Sequence, residues 1–339
     1  MKIFHDTAAL TAELNSRSPH PTTHPPASSS ESPVCHLVIG TGTCGTIFTA
    51  NEVSPVAIKV GRQKHSIHHD WCLLQRANET IAHCAALLKD TPHFHHIPNF
   101  PAHHCLLTPD EIKQLLPKQY HRRNYAYRME RIYSFSATTR QCLLGMFPSV
   151  DLPLEDTHDC LIRPYLGQQT ASETPSNLQN LPLCLDDLKI LGLDCNLLAK
   201  EMAVGLAILH WGIQIDATDV EFVLGASRAV EQSVSMWILD FDKAKTNKSI
   251  QDAEGLSNDG LAERLAGRMQ GNDNYFPKPQ LDKEIWNVFC DIYIDASKTI
   301  LKGGEERIWE LPSEVLRHFE RLCIEWDEFK ESADIFERA

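Results

Sequence analysis

Two short acidic runs, each joined to an apolar segment that alternates like a β-strand, constrain the fold of this chain most. The runs cover residues 216–224 and 237–243, and together they carry five carboxylates. Side chains alternate between the two faces of a strand, so Asp219 and Glu221 share one face of the first segment while Asp240 and Asp242 share one face of the second. The apolar residues between them predict that both strands pack on a core and hold the acids at one edge.

Carboxylates crowded in this way raise each other's pKa and destabilise the folded state unless a cation neutralises them. We therefore expect a metal ion, a guanidinium or an ammonium group beside these acids. The alternative is that the two strand ends are solvated and the acids belong to ordinary loops.

Composition limits the class of protein. A chain of 339 residues with 42% apolar residues can bury one large core or two lobes. A net charge of −13 argues against a diffuse nucleic-acid-coating surface, although a local basic patch is compatible with it. The sequence has no run of 18 apolar residues and no apolar signal core near residue 1, so we expect an intracellular, cytoplasmic protein.

Eleven cysteines are scattered at irregular spacing, which favours reduced thiols over a disulfide framework. The histidines and the cysteine of residues 93–105 include no Cys-x-x-Cys pair, and no cysteine pair is matched to a histidine pair. We predict no metal site and no cofactor.

The chain divides into three predicted parts: a flexible leader at 1–33, rich in Pro, Ser and Thr over 17–33, a small lobe at 34–132 and a large lobe at 133–339. Helices are predicted over 68–88, over 194–209 and through most of the tail from residue 283, because their apolar residues recur at helical spacing. Residues 154–181 are polar and aperiodic, which is typical of a long loop.

A glycine-rich turn at 40–45 lies between two predicted strands, and Lys59 follows on the next strand within Val-Ala-Ile-Lys. This arrangement resembles the small lobe of protein kinases, where glycines let backbone amides approach a ligand and a strand lysine supplies positive charge. Glu79, on the helix that follows, is the predicted partner of Lys59. Residues 127–132 resemble a kinase hinge, whose backbone would border an adenine.

The kinase pattern is incomplete in the second half. Aligned on the strand that follows, the His-Arg-Asp of a kinase falls on residues 215–217, its metal-binding Asn falls on Phe222, and the glycine of its Asp-Phe-Gly is Asp242. Phosphoryl transfer needs a base at the acceptor hydroxyl and ligands for magnesium. Ordinary kinase chemistry is therefore not favoured.

Four segments, at 209–211, 219–223, 239–241 and 272–279, resemble a fungal domain of formerly unknown function, sometimes labelled zinc finger. That domain includes the fungal arginine-containing cyclodipeptide synthases, and the resemblance extends over roughly residues 34–300. It implies an enzyme that takes aminoacyl groups from arginyl-tRNA and from a second charged tRNA and joins them as a cyclic dipeptide, cyclo-Arg-Xaa, in secondary metabolism.

This implied activity agrees with the chemistry of the acids. A guanidinium is bound bidentately by carboxylates, and an α-amine with a pKa near 8 needs a base before it attacks an ester. The kinase-like cleft would then hold the terminal adenosine of a charged tRNA. The stretch 118–131, rich in Lys, Arg and Tyr, is a candidate track for the tRNA backbone, or else a solvated hairpin.

The predicted site residues fall into three groups. Those expected to act in catalysis are Asp216, Asp219, Glu221 and Asp240; those expected to bind substrate are Gly40, Gly42, Gly45, Lys59, Glu79, Met129 and Asp242; those expected to bind tRNA are Lys118, Arg122, Arg123 and Arg128.

The predicted fold is α+β and protein-kinase-like, with a small β-rich lobe above a mostly helical large lobe. Two alternative functions stay open: a small-molecule or protein kinase that uses Lys59 and Asp240, and a catalytically inactive kinase-like module that binds a nucleotide or a partner. No membrane and no DNA are expected as partners.

Overall fold

The structure is a computed structural model. It describes residues 7–16, 34–122, 124–147, 149–150, 152–157, 159–226, 233–272, 274–302 and 308–337.

The small lobe is built on a five-stranded antiparallel sheet in the order β1-β2-β3-β5-β4. Its strands are β1 (Leu37–Thr41), β2 (Thr46–Thr49), β3 (Val56–Gly61), β4 (His103–Leu106) and β5 (Tyr125–Glu130). Two helices, α2 (Lys64–Leu88) and α3 (Pro109–Leu115), belong to this lobe. A capping box between Thr108 and Glu111 begins α3, which packs with a small apolar cluster on one face of the sheet.

Helix α2 links the small lobe to the rest of the molecule. Its buried residues recur at helical spacing: Ile67, Asp70, Leu73, Leu74, Ala77, Cys84 and Leu88. Near its end the helix packs so closely on the large lobe that a side chain at Gly212 would come within 2.6 Å of the Cys84 sulfur. The predicted helix over 68–88 is confirmed, and it begins four residues earlier.

The large lobe combines helices with a four-stranded sheet in the order β7-β6-β8-β9. Its strands are β6 (Ile162–Tyr165), β7 (Leu181–Cys184), β8 (Glu221–Ala226) and β9 (Val234–Leu239). Its helices are α4 (Ala137–Met146), α5 (Leu185–Ile190), α6 (Cys195–Ala207), α7 (Asn247–Glu254), α8 (Asn258–Gly271), α9 (Lys283–Ile300) and α10 (Leu311–Glu337). The α+β fold, with its β-rich amino-terminal lobe and mostly helical carboxy-terminal lobe, is confirmed.

Helix α6 lies at the centre of the large lobe and is buried almost all round. Asp194 caps it by accepting a hydrogen bond from the Leu197 amide, and a π-helical turn over Ile208–Ile213 continues it. The helix predicted over 194–209 and the helical tail are both confirmed. The long loop predicted over 154–181 is only partly right, because β6 lies within it and pairs in parallel with β7.

The leader predicted as flexible over 1–33 contains a helix, α1 (Thr7–Asn15), which packs on the large lobe. Leu14 is fully buried, and the Thr11 hydroxyl donates to the Leu191 carbonyl at 2.6 Å. The Glu13 carboxylate accepts hydrogen bonds from the side chain and the amide of Ser136, the residue that caps α4. The leader prediction is therefore wrong over 7–15, while residues 17–33 lie outside the described part.

A short segment after α2 joins the two lobes through the backbone. The Asn99 amide donates to the Met236 carbonyl at 2.8 Å, and the Ile238 amide donates to the Asn99 carbonyl at 2.9 Å. These bonds fix the end of β9, and hence Asp240, relative to the small lobe. Within the described residues, no helix is long and apolar enough to cross a bilayer.

Candidate functional site

A cleft of about 150 Å³ lies where the small-lobe sheet faces the ends of β8 and β9. Its walls are the glycine turn, the α2 face of β3 and β5, the segment after β5, and the strand ends of the large lobe. Lining residues include Gly40, Gly42, Cys44, Gly45, Ala57, Lys59, Asp70, Met129, Ile132, Arg163, Glu221 and Asp240. The cleft therefore brings most of the predicted substrate-binding residues together.

Lys59 is the central cation of this cleft. Its side-chain nitrogen lies 2.5 Å from Oδ2 of Asp70 and 2.7 Å from Oδ1 of Asp240. The predicted approach of Lys59 to Asp240 is confirmed. Burial lowers the pKa of Lys59, but Asp70, Tyr127 and Asp240 outweigh it and raise that pKa well above its usual value.

Asp70 holds four parts of the site together. Besides Lys59 on β3, it accepts a hydrogen bond from the Tyr127 hydroxyl on β5 at 2.8 Å and one from the Phe241 amide at 2.9 Å. Asp70 itself is only 1% exposed. Because these bonds converge on one buried carboxylate, the position of α2 fixes both Lys59 and the residues after β9.

The predicted pairing of Lys59 with Glu79 is wrong. Glu79 is exposed and accepts a hydrogen bond from Gln75 at 2.9 Å. It follows Asp70 by nine residues, which is two and a half turns of helix, so the two side chains lie on opposite faces of α2. Asp70 belongs to the inward-facing stripe, and an acid within an apolar stripe was the signal that could have identified it.

The glycine turn approaches β3 closely. The Gly42 amide donates to the Gly45 carbonyl at 2.9 Å, and a side chain at Gly45 would come within 2.5 Å of the Val60 carbonyl oxygen. Gly45 is therefore required by the packing of the turn on β3, whereas a side chain at Gly42 would meet no atom within 4 Å.

Asp242 connects the glycine turn to α2 through hydrogen bonds. Its carboxylate accepts a hydrogen bond from the Ser66 hydroxyl at 3.1 Å and is hydrogen-bonded to the Cys44 thiol. Burial raises the pKa of Cys44, and the bond to Asp242 raises it further, so the thiol stays protonated at neutral pH. Asp242 therefore joins the glycine turn to the start of α2.

The segment after β5 borders the inner end of the cleft. Met129 lines the cleft and is 8% exposed. The amides of Glu130 and Arg131 are already bonded, to the carbonyls of Ala102 at 2.8 Å and Pro55 at 2.9 Å. Ile132 is the next residue along the chain that lines the cleft.

Glu221 and Asp240 lie side by side at the ends of β8 and β9, because Glu221 pairs in register with Leu239. Glu221 points into the cleft, while Phe222 is fully buried in the core on the opposite face. Phe222, the position aligned with the metal-binding Asn of a kinase, therefore lies in the core and not in the cleft. A carboxylate occupies the cleft position instead.

Arg163 on β6 pairs with Glu221 inside the cleft. Burial lowers the pKa of Arg163, but Tyr275 and Glu221 more than offset this and raise it above its usual value. Burial also raises the pKa of Asp240, and the charge of Lys59 overcomes this and lowers it. Each of the two neighbouring cleft acids thus lies beside a fixed cation. Sequence reasoning predicted a cation here but did not identify Arg163.

Asp216 does not reach the cleft. It is 1% exposed, and its carboxylate accepts hydrogen bonds from the amides of Lys245 at 2.8 Å and Thr218 at 3.2 Å. The guanidinium of Arg268 lies 3.7 Å away. These contacts hold the backbone before β8, so the predicted catalytic role of Asp216 is replaced by a structural one.

Asp219 lies outside the cleft lining as well, and its carboxylate pairs with Lys243 at 2.6 Å with both side chains about half exposed. The predicted convergence of Asp219, Glu221 and Asp240 is therefore wrong for Asp219.

The backbone of Asp219 is left-handed, with φ of 61°, and so are the backbones of Ala217, with φ of 52°, and Asp240, with φ of 63°. Left-handed backbone at non-glycine residues is concentrated in sites where strain positions side chains.

Of the residues predicted to bind tRNA, Lys118, Arg122 and Arg128 do not line the cleft, although Tyr127, Met129, Glu130 and Arg131 of the same stretch do. Tyr127 and Met129 point to the cleft side of β5, so Arg128 between them points to the α3 side, near Glu111 and Cys105. Lys118 and Arg122 are exposed in the turn before β5. Arg123 lies outside the described residues.

Comparison with known protein families gives one match, and it covers residues 236–305. The matching family model is DUF3669, described as zinc finger protein. No curated protein matches the chain. The assignment of this chain to the arginine-containing cyclodipeptide synthases is corrected by this result, because the family that matches is a different one and no cyclodipeptide synthase family does.

The residues of the matched segment do not fit a zinc finger. Residues 236–305 contain one cysteine, Cys290, and no histidine, whereas a structural zinc site needs four Cys or His ligands. Within the described residues, one group of potential ligands converges, formed by Asp259, Glu314 and His318. Arg317 pairs with both of its carboxylates, so a cation is already present there.

Proposed function

We propose that the cleft binds the terminal adenosine of a charged tRNA and that the protein forms amide bonds between aminoacyl groups, producing an arginine-containing cyclic dipeptide. One observation carries the proposal. The glycine turn, Lys59 and the segment at Met129, whose sequence pattern resembles the nucleotide-binding half of a kinase site, line one cleft. The half that transfers a phosphoryl group is altered.

Two features of the site argue against a phosphoryl group as the reacting part of the ligand. Asp216, the residue nearest to a kinase base in sequence, is buried and bonded to backbone amides. Glu221, beside Asp240 in the cleft, is paired with Arg163. An adenosine that carries an ester on its ribose needs no metal clamp on a triphosphate, so it fits this cleft better.

The reaction needs an amine and a base. The α-amine of one aminoacyl group attacks the ester carbonyl of the other, the tRNA hydroxyl leaves, and a carboxylate takes the amine's proton. A second attack within the dipeptide closes the ring and releases the second tRNA. Glu221, paired with Arg163 in the cleft, is the acid that we expect to act as base or to bind the arginyl guanidinium.

This function implies arginyl-tRNA and a second charged tRNA as substrates, and it requires no bound cofactor. Charged tRNAs are used in the cytoplasm, so we propose that compartment.

Phosphoryl transfer is the second candidate, and the ion pair of Lys59 with Asp240 at 2.7 Å favours it. In that function Lys59 would bind the phosphates of a nucleotide, and Asp240 would bind a metal ion. A nucleotide-binding module without turnover would use the same cleft.

The test is expression in a microbial host followed by mass analysis of the medium for new cyclic arginyl dipeptides. Purified protein is then given preformed aminoacyl-tRNA, with and without ATP and with and without ribonuclease. We expect product without ATP and none after ribonuclease treatment. Product from free amino acids and ATP in the presence of ribonuclease, or ATP turnover with a phosphorylated acceptor, would contradict the proposal.

A further inference from the structure

Two segments at the mouth of the cleft are strongly basic. Residues 61–69 carry one arginine, one lysine and three histidines, and residues 243–248 carry three lysines, while neither segment contains an acid. The whole chain has a net charge of −13, so this concentration of positive charge is local.

The fold places the two segments beside each other. The Ser66 hydroxyl at the start of α2 donates to Asp242 at 3.1 Å, and the His69 ring is hydrogen-bonded to the Ala244 carbonyl at 2.7 Å. Because Asp242 is also bonded to Cys44 of the glycine turn, the basic surface begins at the edge of the cleft. We define the mouth surface as Arg62, Lys64, His65, Lys243 and Lys245, all of which are exposed.

The charges of this surface are largely uncompensated. Lys243 is paired with Asp219 at 2.6 Å. In contrast, Arg62, Lys64 and Lys245 form no ion pair with any acid in the part of the chain that the structure describes. Unpaired, exposed cations beside an opening that accepts a nucleoside are suited to phosphates that continue from that nucleoside.

We infer that the mouth surface binds the phosphate backbone of an RNA whose terminal adenosine lies in the cleft. This inference rests on the proposed function and names the surface that holds the tRNA. It replaces the stretch at 118–131, because Arg128 of that stretch lies on the opposite face of the small-lobe sheet from the cleft.

The test compares two sets of charge reversals in the full chain. The first variant carries Arg62→Glu, Lys64→Glu and Lys245→Glu, and the control carries Lys118→Glu and Arg122→Glu. Affinity for deacylated tRNA is measured by fluorescence anisotropy over a range of salt concentrations, and adenosine binding is measured by calorimetry. Thermal unfolding of each variant verifies that the fold is intact.

The first variant should bind tRNA about tenfold or more weakly, and the slope of log affinity against log salt should flatten by about 2, because about three phosphate contacts to single-stranded RNA are lost. Adenosine binding should be unchanged, and the control should bind tRNA like the wild-type protein. If the control loses affinity and the first variant does not, the inference is overturned while the proposed function stands.

Two further outcomes distinguish a failure of the inference from a failure of the proposed function. If the wild-type protein binds adenosine but no tRNA, both the inference and the proposed function fail. If cyclic dipeptide is made by the first variant with unchanged dependence on tRNA concentration, only the inference fails.

Discussion

The carboxylate of Asp70 lies 2.5 Å from the amine of Lys59, in the place that sequence reasoning gave to Glu79. Asp70 also accepts the hydroxyl of Tyr127 and the amide of Phe241, so it is the common partner of two strands of the small lobe and of the segment after β9. Removing the Asp70 carboxylate would leave the Tyr127 hydroxyl and the Phe241 amide without this partner. The charge of Lys59 would then be compensated only in part.

We therefore expect Asp70→Ala to destabilise the protein by about 3–5 kcal/mol, the range for breaking a buried ion pair. Glu79→Ala removes an exposed acid from the same helix and should change the free energy of unfolding by less than about 0.5 kcal/mol. Urea unfolding of both variants measures the difference. Equal stability of the two would show that Asp70 does not organise the lobes.

The glycine turn gives a second matched pair. A methyl group at Gly45 would meet the Val60 carbonyl oxygen at 2.5 Å, whereas one at Gly42 would meet nothing within 4 Å. Gly45→Ala should lower stability by about 1–3 kcal/mol, through overpacking against β3, and should weaken adenosine binding. Gly42→Ala should leave both close to wild type. Calorimetric titration with adenosine and thermal unfolding check this, and a reversed ranking would contradict the packing of the turn on β3.

The part of the fold that sequence predicted best is local. The glycine turn, the strand carrying Lys59 and the long helices follow from turn chemistry and apolar periodicity, which act over a few residues. Strand β6 was missed, because its four residues include a proline and are followed by a long polar stretch. Helix α1 was missed because it is short and has only two large apolar residues, Leu10 and Leu14, and Leu14 is buried through contact with the distant large lobe.

The candidate site was predicted only in part, because local patterns indicate some of its residues and contacts between distant segments supply the others. Alternation along β8 and β9 placed Glu221 and Asp240 together, as the register of the two strands requires. Their partners could not be predicted by spacing, since Arg163 and Asp70 come from segments far away along the chain. Asp216 was predicted to be catalytic because acids in a loop resemble a site, but the backbone amides that bind it are visible only in three dimensions.

A buried histidine predicts how stability depends on pH. His210 is fully buried and hydrogen-bonded to the Tyr293 hydroxyl at 2.8 Å, and burial lowers its pKa to about 3. The unfolded chain binds a proton at the ordinary pKa near 6.5, so the neutral histidine stabilises the fold above that pH, and this stabilisation is lost as pH falls from about 6.5 towards 3. His96, whose pKa burial lowers to about 4, adds to the same loss.

The free energy of unfolding should thus fall by about 1.4 kcal/mol per pH unit for each such histidine below pH 6. His210→Gln keeps a hydrogen-bonding group but cannot titrate, so its stability should depend less steeply on pH than that of the wild-type protein. Urea unfolding at pH 7, 6 and 5 gives the two slopes. Parallel slopes would mean that His210 does not titrate with folding.

Glu221 provides the sharpest test of the chemistry in the cleft. Replacing it by Gln keeps its shape and its place beside Arg163 but removes the charge that would take a proton or bind a guanidinium. We expect Glu221→Gln to reduce cyclic dipeptide formation by about tenfold to a hundredfold, the effect of losing a charged hydrogen bond, and to reduce stability only slightly.

The control is Asp219→Asn, which removes an acid that lies outside the cleft in a half-exposed pair with Lys243. This variant should form product at close to the wild-type rate. Mass-spectrometric quantification of product over time, with thermal unfolding as a check of folding, distinguishes the two variants. If Glu221→Gln forms product as fast as the parent while Asp219→Asn does not, the base and the guanidinium site lie outside the cleft, on the side of Asp219.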